Sequence, residues 1–163
     1  MGFGIIHSKS YLEQYERIKR WHKILNEIRL SNASEDKTEY QVDCIFAFFM
    51  NCFHLTDWLK HSKTSLDDKT IDDFINNNDE MKICKYLCLG SKHLTLDKKR
   101  HDVSNIVTIG KEWDPFAEVL NNKNPVLNIT YSLDTKYGKF NVFELSDTCV
   151  NLWEDFLKQN NLI

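Results

Sequence analysis

The chain has 163 residues, of which 42% are hydrophobic and 28% are charged, and its formal net charge is −3. This length fits one domain with a sizeable apolar core. The near-neutral charge excludes a chain that is basic throughout, so any contact with RNA must come from a local patch.

The first predicted element is an amphipathic helix over residues 9–30, where apolar residues recur at steps of three and four. Its polar face carries Arg17, Lys19 and Arg20, which are candidate RNA-binding residues. Arg17 also stands five residues before His22, which makes a nominal R-x-x-x-x-H match. Such a spacing is common by chance and carries little weight alone.

The second predicted helix, about residues 35–61, is apolar on nearly every side. A projection at 100° per residue leaves only a narrow polar seam, formed by Asp43, His54, Asp57 and His61. A helix of this kind lies at the centre of a bundle or is covered by a second chain. Because a chain of this size has few helices to cover both sides, the pattern favours a homodimer with the seam at or near the shared surface.

Two shorter helices follow in the sequence. Residues 67–75 predict the third helix, and three asparagines at 76–78 then break the chain. The fourth helix runs from Asp79 through Cys88, and Gly90 ends or kinks it.

A highly charged stretch comes next, at residues 95–103. Its basic residues are Lys98, Lys99 and Arg100. The stretch fits a solvated loop, or alternatively a basic patch that contacts RNA phosphates.

The composition then changes to β-type patterns. Residues 105–109 are typical of a strand, and residues 127–133 alternate between apolar and polar side chains. A turn at 134–138 and a return strand at 139–143 complete an antiparallel hairpin.

The last predicted element is a helix over about 144–160, with Ser146 or Asp147 near its start. The elements together predict a mainly α fold in a single domain, 1–163. A helical bundle is formed by about 9–93 and 144–160, with a small β-hairpin or meander inserted at about 104–143.

Targeting and cysteine patterns indicate a soluble cytoplasmic protein. No apolar run approaches the roughly 20 residues that span a bilayer, and the first seven residues do not form a secretory signal. Five cysteines in apolar, helix-like stretches favour reduced core residues. Cys84 and Cys88 share a helical face, but no zinc-type spacing accompanies them, so we predict no metal and no cofactor.

Two short polar motifs are candidates for chemistry. His54 and Asp57 lie three residues apart, where a carboxylate can orient a histidine for acid–base work. Lys92 and His93 follow a glycine at a helix end, and this pair suits attack of a ribose 2′-hydroxyl on its own phosphate. Each motif also has a structural interpretation, the first as a polar pair bridging helices and the second as a basic helix end.

Several stretches of the sequence together resemble a family of bacterial and phage proteins of unassigned function. The family pattern is roughly F-F-x-x-C-x-H-L-x-D-W followed by G-S-K-H-L, matched here by residues 48–58 and 90–94. Residues 15–21 and 149–157 fit the same family. That family in turn resembles, distantly, the HEPN superfamily of small helical bundles, which often dimerise.

The resemblance implies a protein that acts on RNA. Many HEPN domains are metal-independent ribonucleases in toxin–antitoxin, CRISPR or phage-defence systems, so the expected partners are RNA, a second copy of the chain and a protein regulator. In this interpretation His54 and His93 are the base and acid, Asp57 orients His54, and Lys92 meets the phosphate. The HEPN motif R-x4–6-H is not matched at either histidine.

Two other function classes stay open. Some HEPN domains have lost activity and serve as binding modules, so a non-enzymatic interaction module is the main alternative. The third is a sensor of a small molecule or nucleotide, which would use an aromatic-lined space formed by Trp21, Phe46, Phe53 and Trp58. If the chain is an enzyme, we expect a metal-independent ribonuclease.

Overall fold

The computed structural model describes residues 10–30, 38–92 and 131–163. Within these ranges the chain forms five helices and one two-stranded hairpin, which confirms the mainly α bundle with a small antiparallel β unit before the last helix. The elements in chain order are α1 (Tyr11–Leu30), α2 (Thr38–His61), α3 (Asp68–Asn77), α4 (Asp79–Lys92), β1 (Ser132–Thr135), β2 (Gly138–Asn141) and α5 (Val142–Gln159).

The second helix, α2, lies at the centre of the bundle, as its nearly continuous apolar surface predicts. It contacts α1, α3, α4 and α5. Its inner residues are fully buried, and they include Phe48, Phe49, Cys52, Leu55 and Leu59. Four neighbouring helices thus bury the apolar surface of α2, which extends around nearly the whole helix.

The short helix α3 and the start of α4 follow the sequence prediction closely. Asp67 caps α3, because its side chain accepts a hydrogen bond from the Thr70 amide at 2.7 Å. The asparagine run ends α3 at Asn77, and α4 begins directly at Asp79. Gly90 does not end α4, which continues to Lys92.

The hairpin is tighter than predicted. Ser132 pairs with Asn141 and Thr135 with Gly138, so only two residues form the turn, where five were expected. Gly138 has a φ of +125°, a backbone conformation that favours glycine. The β1 strand therefore extends past the predicted turn boundary, and β2 ends before residue 142.

The last helix begins earlier than predicted because a different residue caps it. The Asn141 side chain accepts hydrogen bonds from the amides of Phe143 at 2.9 Å and Glu144 at 3.3 Å. Ser146 and Asp147, which were expected near the start, instead lie inside α5. The cap places Asp147 more than one turn into the helix, where it faces α1.

Some predicted features lie outside the described residues. They are His93, Lys98, Lys99, Arg100 and the strand at 105–109. Among the helices that the structure does describe, none combines the length and the apolar character needed to cross a membrane.

Candidate functional site

A histidine–carboxylate pair joins the first and last helices. His22 Nε2 on α1 lies 2.6 Å from Asp147 Oδ1 on α5, although 125 residues separate the two in sequence. The side chains are 21% and 41% exposed, respectively, so the pair lies at the edge of the bundle where a ligand can reach it. The Phe48 ring packs beside the imidazole with 6.0 Å between centroids and thus provides an apolar wall.

Arg29 completes this cluster from the same side of α1. Its Nη1 lies 3.3 Å from the second oxygen of Asp147, and its side chain is 47% exposed. His22 and Arg29 are seven residues apart, so they point in nearly the same direction from the helix. We call His22, Arg29 and Asp147 the α1–α5 cluster.

The carboxylate determines which nitrogen of His22 carries the proton. A neutral imidazole beside a carboxylate keeps its proton on the bonded nitrogen, here Nε2, and leaves the lone pair on Nδ1. The Asn26 amide nitrogen lies 3.4 Å from Nε2, but it makes no hydrogen bond there because both groups are donors once Nε2 carries the proton. Among the described residues Nδ1 has no hydrogen-bond partner, so it is the nitrogen that can accept a proton.

The nominal R-x-x-x-x-H match does not form a site. Five residues of helix place Arg17 and His22 about 140° apart around the axis. Arg17 instead bonds Glu13 at 3.1 Å and lies over the Trp58 ring at 5.6 Å. The basic partner of the His22 region in space is Arg29, which the sequence spacing does not indicate.

The other histidine motif is arranged differently from its sequence prediction. Among the hydrogen bonds and ion pairs of the described residues, none joins His54 to Asp57. His54 Nε2 instead lies 3.3 Å from the Cys88 thiol on α4. Asp57 is exposed, and its backbone carbonyl accepts a hydrogen bond from His61 Nδ1 at 2.7 Å. This contact fits the interpretation of His54 as a polar bridge between helices.

The helix that carries His54 and Asp57, α2, packs on α4, which carries Lys92 at its last position. Lys92 follows Cys88 by four residues, so its backbone lies one helical turn beyond the thiol that His54 contacts. A catalytic role for His54, Asp57, Lys92 and His93 stays a prediction, because His93 lies outside the described residues.

The basic face of α1 is largely paired with acids from the same helix. Arg17 bonds Glu13, as noted, and the Lys19 ammonium bonds the Glu16 carboxylate. Lys19 also lies over the Tyr15 ring at 4.9 Å. Arg20 is exposed. An RNA-binding role for Arg17, Lys19 and Arg20 stays a prediction.

Three buried thiols meet where α2, α4 and α5 converge. Cys84 and Cys149 lie 3.6 Å apart, and Cys52 contacts Cys84. All five cysteines are buried and none forms a disulfide, as expected for core residues. Burial raises the pKa of the Cys52 and Cys149 thiols well above its ordinary value, and their contacts with Cys84 raise it further. These two thiols thus stay neutral and pack as small apolar groups.

The described residues contain no group of three histidine, cysteine or acidic side chains arranged to hold a metal ion. The predicted aromatic residues Trp21, Phe46, Phe53 and Trp58 are half-buried and pack against the core. Comparison with protein families, with curated proteins and with solved structures finds no match to the chain.

Proposed function

We propose that the protein is a HEPN-like endoribonuclease that cleaves RNA without a metal ion, in a toxin–antitoxin or phage-defence setting where a protein regulator controls it. The observation that carries the proposal is the α1–α5 cluster. It combines a histidine oriented by a carboxylate, His22 with Asp147, and a half-exposed arginine, Arg29, at the edge of the bundle.

The cluster supplies what cleavage by the ribose 2′-hydroxyl needs. His22 Nδ1 takes the proton of the 2′-hydroxyl, whose oxygen then attacks the adjacent phosphorus. Asp147 stabilises the imidazolium that forms, and the Arg29 guanidinium balances the charge of the phosphorane. The bond to the 5′ oxygen breaks, and that oxygen takes a proton from solvent. The products are a 2′,3′-cyclic phosphate and a 5′-hydroxyl.

The expected result with purified protein is cleavage of end-labelled RNA in the presence of excess EDTA. Transfer RNA, total RNA and unstructured oligonucleotides are incubated with the chain, and the fragments are resolved on sequencing gels. Because the mechanism leaves a cyclic phosphate, the 5′ fragments should resist ligation until the phosphate is removed, and the 3′ fragments should accept phosphate from a kinase.

Two outcomes would contradict the proposal. Cleavage that EDTA abolishes would point to a metal-dependent enzyme, and fragments that end in a 3′-hydroxyl would exclude attack by the 2′-hydroxyl. A folded protein that cuts none of these RNAs, alone or with its regulator, would favour the interaction module instead.

The proposal includes a homodimer, in keeping with the HEPN resemblance. Within the described residues, the polar seam of α2 presents Asp43, Asp57 and His61 as exposed side chains. Light scattering after size exclusion should give twice the 19.3 kDa mass of the chain. A mass that stays at one chain across micromolar concentrations would exclude a stable dimer.

A second candidate function is a non-enzymatic interaction module, for which two exposed side chains are candidate contact residues. Leu30 at the end of α1 is 85% exposed and Tyr40 near the start of α2 is 62% exposed. Exposed large apolar side chains are typical of protein-contact surfaces. In that case the α1–α5 cluster is only an ion-paired contact between two helices, and substitution of its residues would change stability alone.

A further inference from the structure

Two tyrosines from distant parts of the chain stack on each other at the surface of α4. Tyr86 belongs to α4, and Tyr137 belongs to the turn of the hairpin. Their ring centroids are 6.3 Å apart with planes only 11° from parallel, and their hydroxyls are 3.3 Å apart. Both residues are half-buried, so part of each ring is open to solvent. The stack fixes the hairpin turn over the outer side of α4.

Two lysines place positive charge on the same rings. The Lys136 ammonium lies 5.6 Å from the Tyr86 centroid and 5.3 Å from the Tyr137 centroid. The Lys82 ammonium lies 5.3 Å from the Tyr137 centroid and bonds Asp79 at 2.8 Å. We call Lys82, Tyr86, Lys136 and Tyr137 the Tyr–Lys surface.

Further lysines flank this surface on both elements. Lys85 lies one residue before Tyr86 on α4, and Lys139 follows the hairpin turn on β2. The acidic residues of the two segments are Asp79, Glu80 and Asp134, and Asp134 lies opposite Lys139 in the register of the hairpin. The lysines of the two segments therefore outnumber their acidic residues.

Aromatic faces with adjacent cations are the elements by which proteins bind single-stranded nucleic acid. Bases stack on the rings, and ammonium groups contact the phosphates between them. A rigid platform lowers the entropy lost on binding, and the mutual stacking of Tyr86 and Tyr137 holds both rings in place. When RNA binds, a base can replace the lysine ammonium on the tyrosine ring, and the ammonium can then contact a neighbouring phosphate.

We propose that the Tyr–Lys surface binds single-stranded RNA, with a base stacked on Tyr137 and the phosphates next to it held by Lys82 and Lys136. This inference rests on the proposed action on RNA and names the surface that holds the substrate. In this proposal RNA binds to α4 and the hairpin, and the α1–α5 cluster cleaves it.

The test is the fluorescence anisotropy of a labelled, unstructured 12-nucleotide RNA whose 2′-hydroxyls are methylated, so that the proposed cleavage cannot occur. It is titrated with the full chain in EDTA and at two salt concentrations. Tyr137→Ala is expected to weaken binding by about tenfold or more, because one stacked base is lost. Tyr137→Phe should bind like wild type, since it keeps the ring. Lys136→Ala should weaken binding. It should also reduce the slope of the logarithm of the binding constant against the logarithm of the salt concentration by about one, the value for one lost phosphate contact.

Matched controls and melting curves make the outcome decisive. Tyr40→Ala removes an exposed tyrosine that lies outside the Tyr–Lys surface and should leave binding unchanged. If Tyr137→Ala fails to fold, Lys136→Ala provides the test. Wild-type binding that Tyr137→Ala and Lys136→Ala both retain in full would overturn this inference and leave the proposed function intact. A wild-type chain that neither binds nor cuts RNA would overturn the proposed function itself.

Discussion

Replacement of Trp153 by alanine is expected to lower the free energy of unfolding by about 3–5 kcal/mol, the usual cost of deleting a buried tryptophan side chain. Trp153 on α5 is completely buried. Its ring contacts Phe74 on α3, with 4.8 Å between centroids, and Phe156 on α5, with 5.7 Å. A domain of this size has a free energy of unfolding of about 5–15 kcal/mol. The loss is therefore a large fraction of the total, and the variant should be only marginally stable.

Urea unfolding followed by circular dichroism at 222 nm measures this effect. Trp153→Phe is the informative partner variant, because it keeps an aromatic ring and removes an indole Nε1 that is buried without a hydrogen-bond partner among the described residues. It should cost clearly less than the alanine variant. Leu30→Ala, at an 85% exposed site, should change stability by no more than about 0.5 kcal/mol. If Trp153→Ala and Leu30→Ala lowered the free energy of unfolding equally, that result would contradict the packing of α5 on α3.

The helices could be predicted from the sequence because their periodicity is local information. Apolar steps of three and four define α1, and the near-continuous apolar surface of α2 indicates its central position, which its contacts with four helices bear out. Helix ends were predicted less well where several residues can act as caps. Asn141 and Ser146 are both good cap residues, and the choice of Asn141 follows from the pairing of Ser132 with Asn141, which ends the hairpin at that point.

The candidate site was mostly beyond the reach of the sequence. Spacing along one helix shows which side chains share a face, but it does not show which face meets which helix. His54 and Asp57 therefore looked like a pair, whereas packing of α2 on α4 places the Cys88 thiol on His54. The partner of His22 is 125 residues away, and the only signal for the pair was a histidine on α1 and an acid on α5.

Replacement of His22 by alanine is expected to reduce the rate of RNA cleavage by about 10²- to 10⁴-fold, the usual contribution of a general base. The reason is that Nδ1 is the proton acceptor in the proposed mechanism, and His22 is the one histidine among the three described residues of the α1–α5 cluster. Asp147→Asn should reduce the rate by a similar factor, because the neutral amide no longer stabilises the imidazolium. Single-turnover cleavage of the labelled RNA measures both effects.

The same variants separate catalysis from a purely structural clasp. The bonds of Asp147 to His22 and Arg29 are partly exposed, so their loss should cost only about 1 kcal/mol of stability or less. His61→Ala, which removes an exposed histidine at the end of α2, is the matched control and should cut RNA at the wild-type rate. His54→Ala should lower stability through its contact with Cys88 and keep the cleavage rate of the folded fraction. If His22→Ala cuts RNA as fast as wild type while His54→Ala does not, the active site lies at α2 and α4, where the sequence motif first placed it.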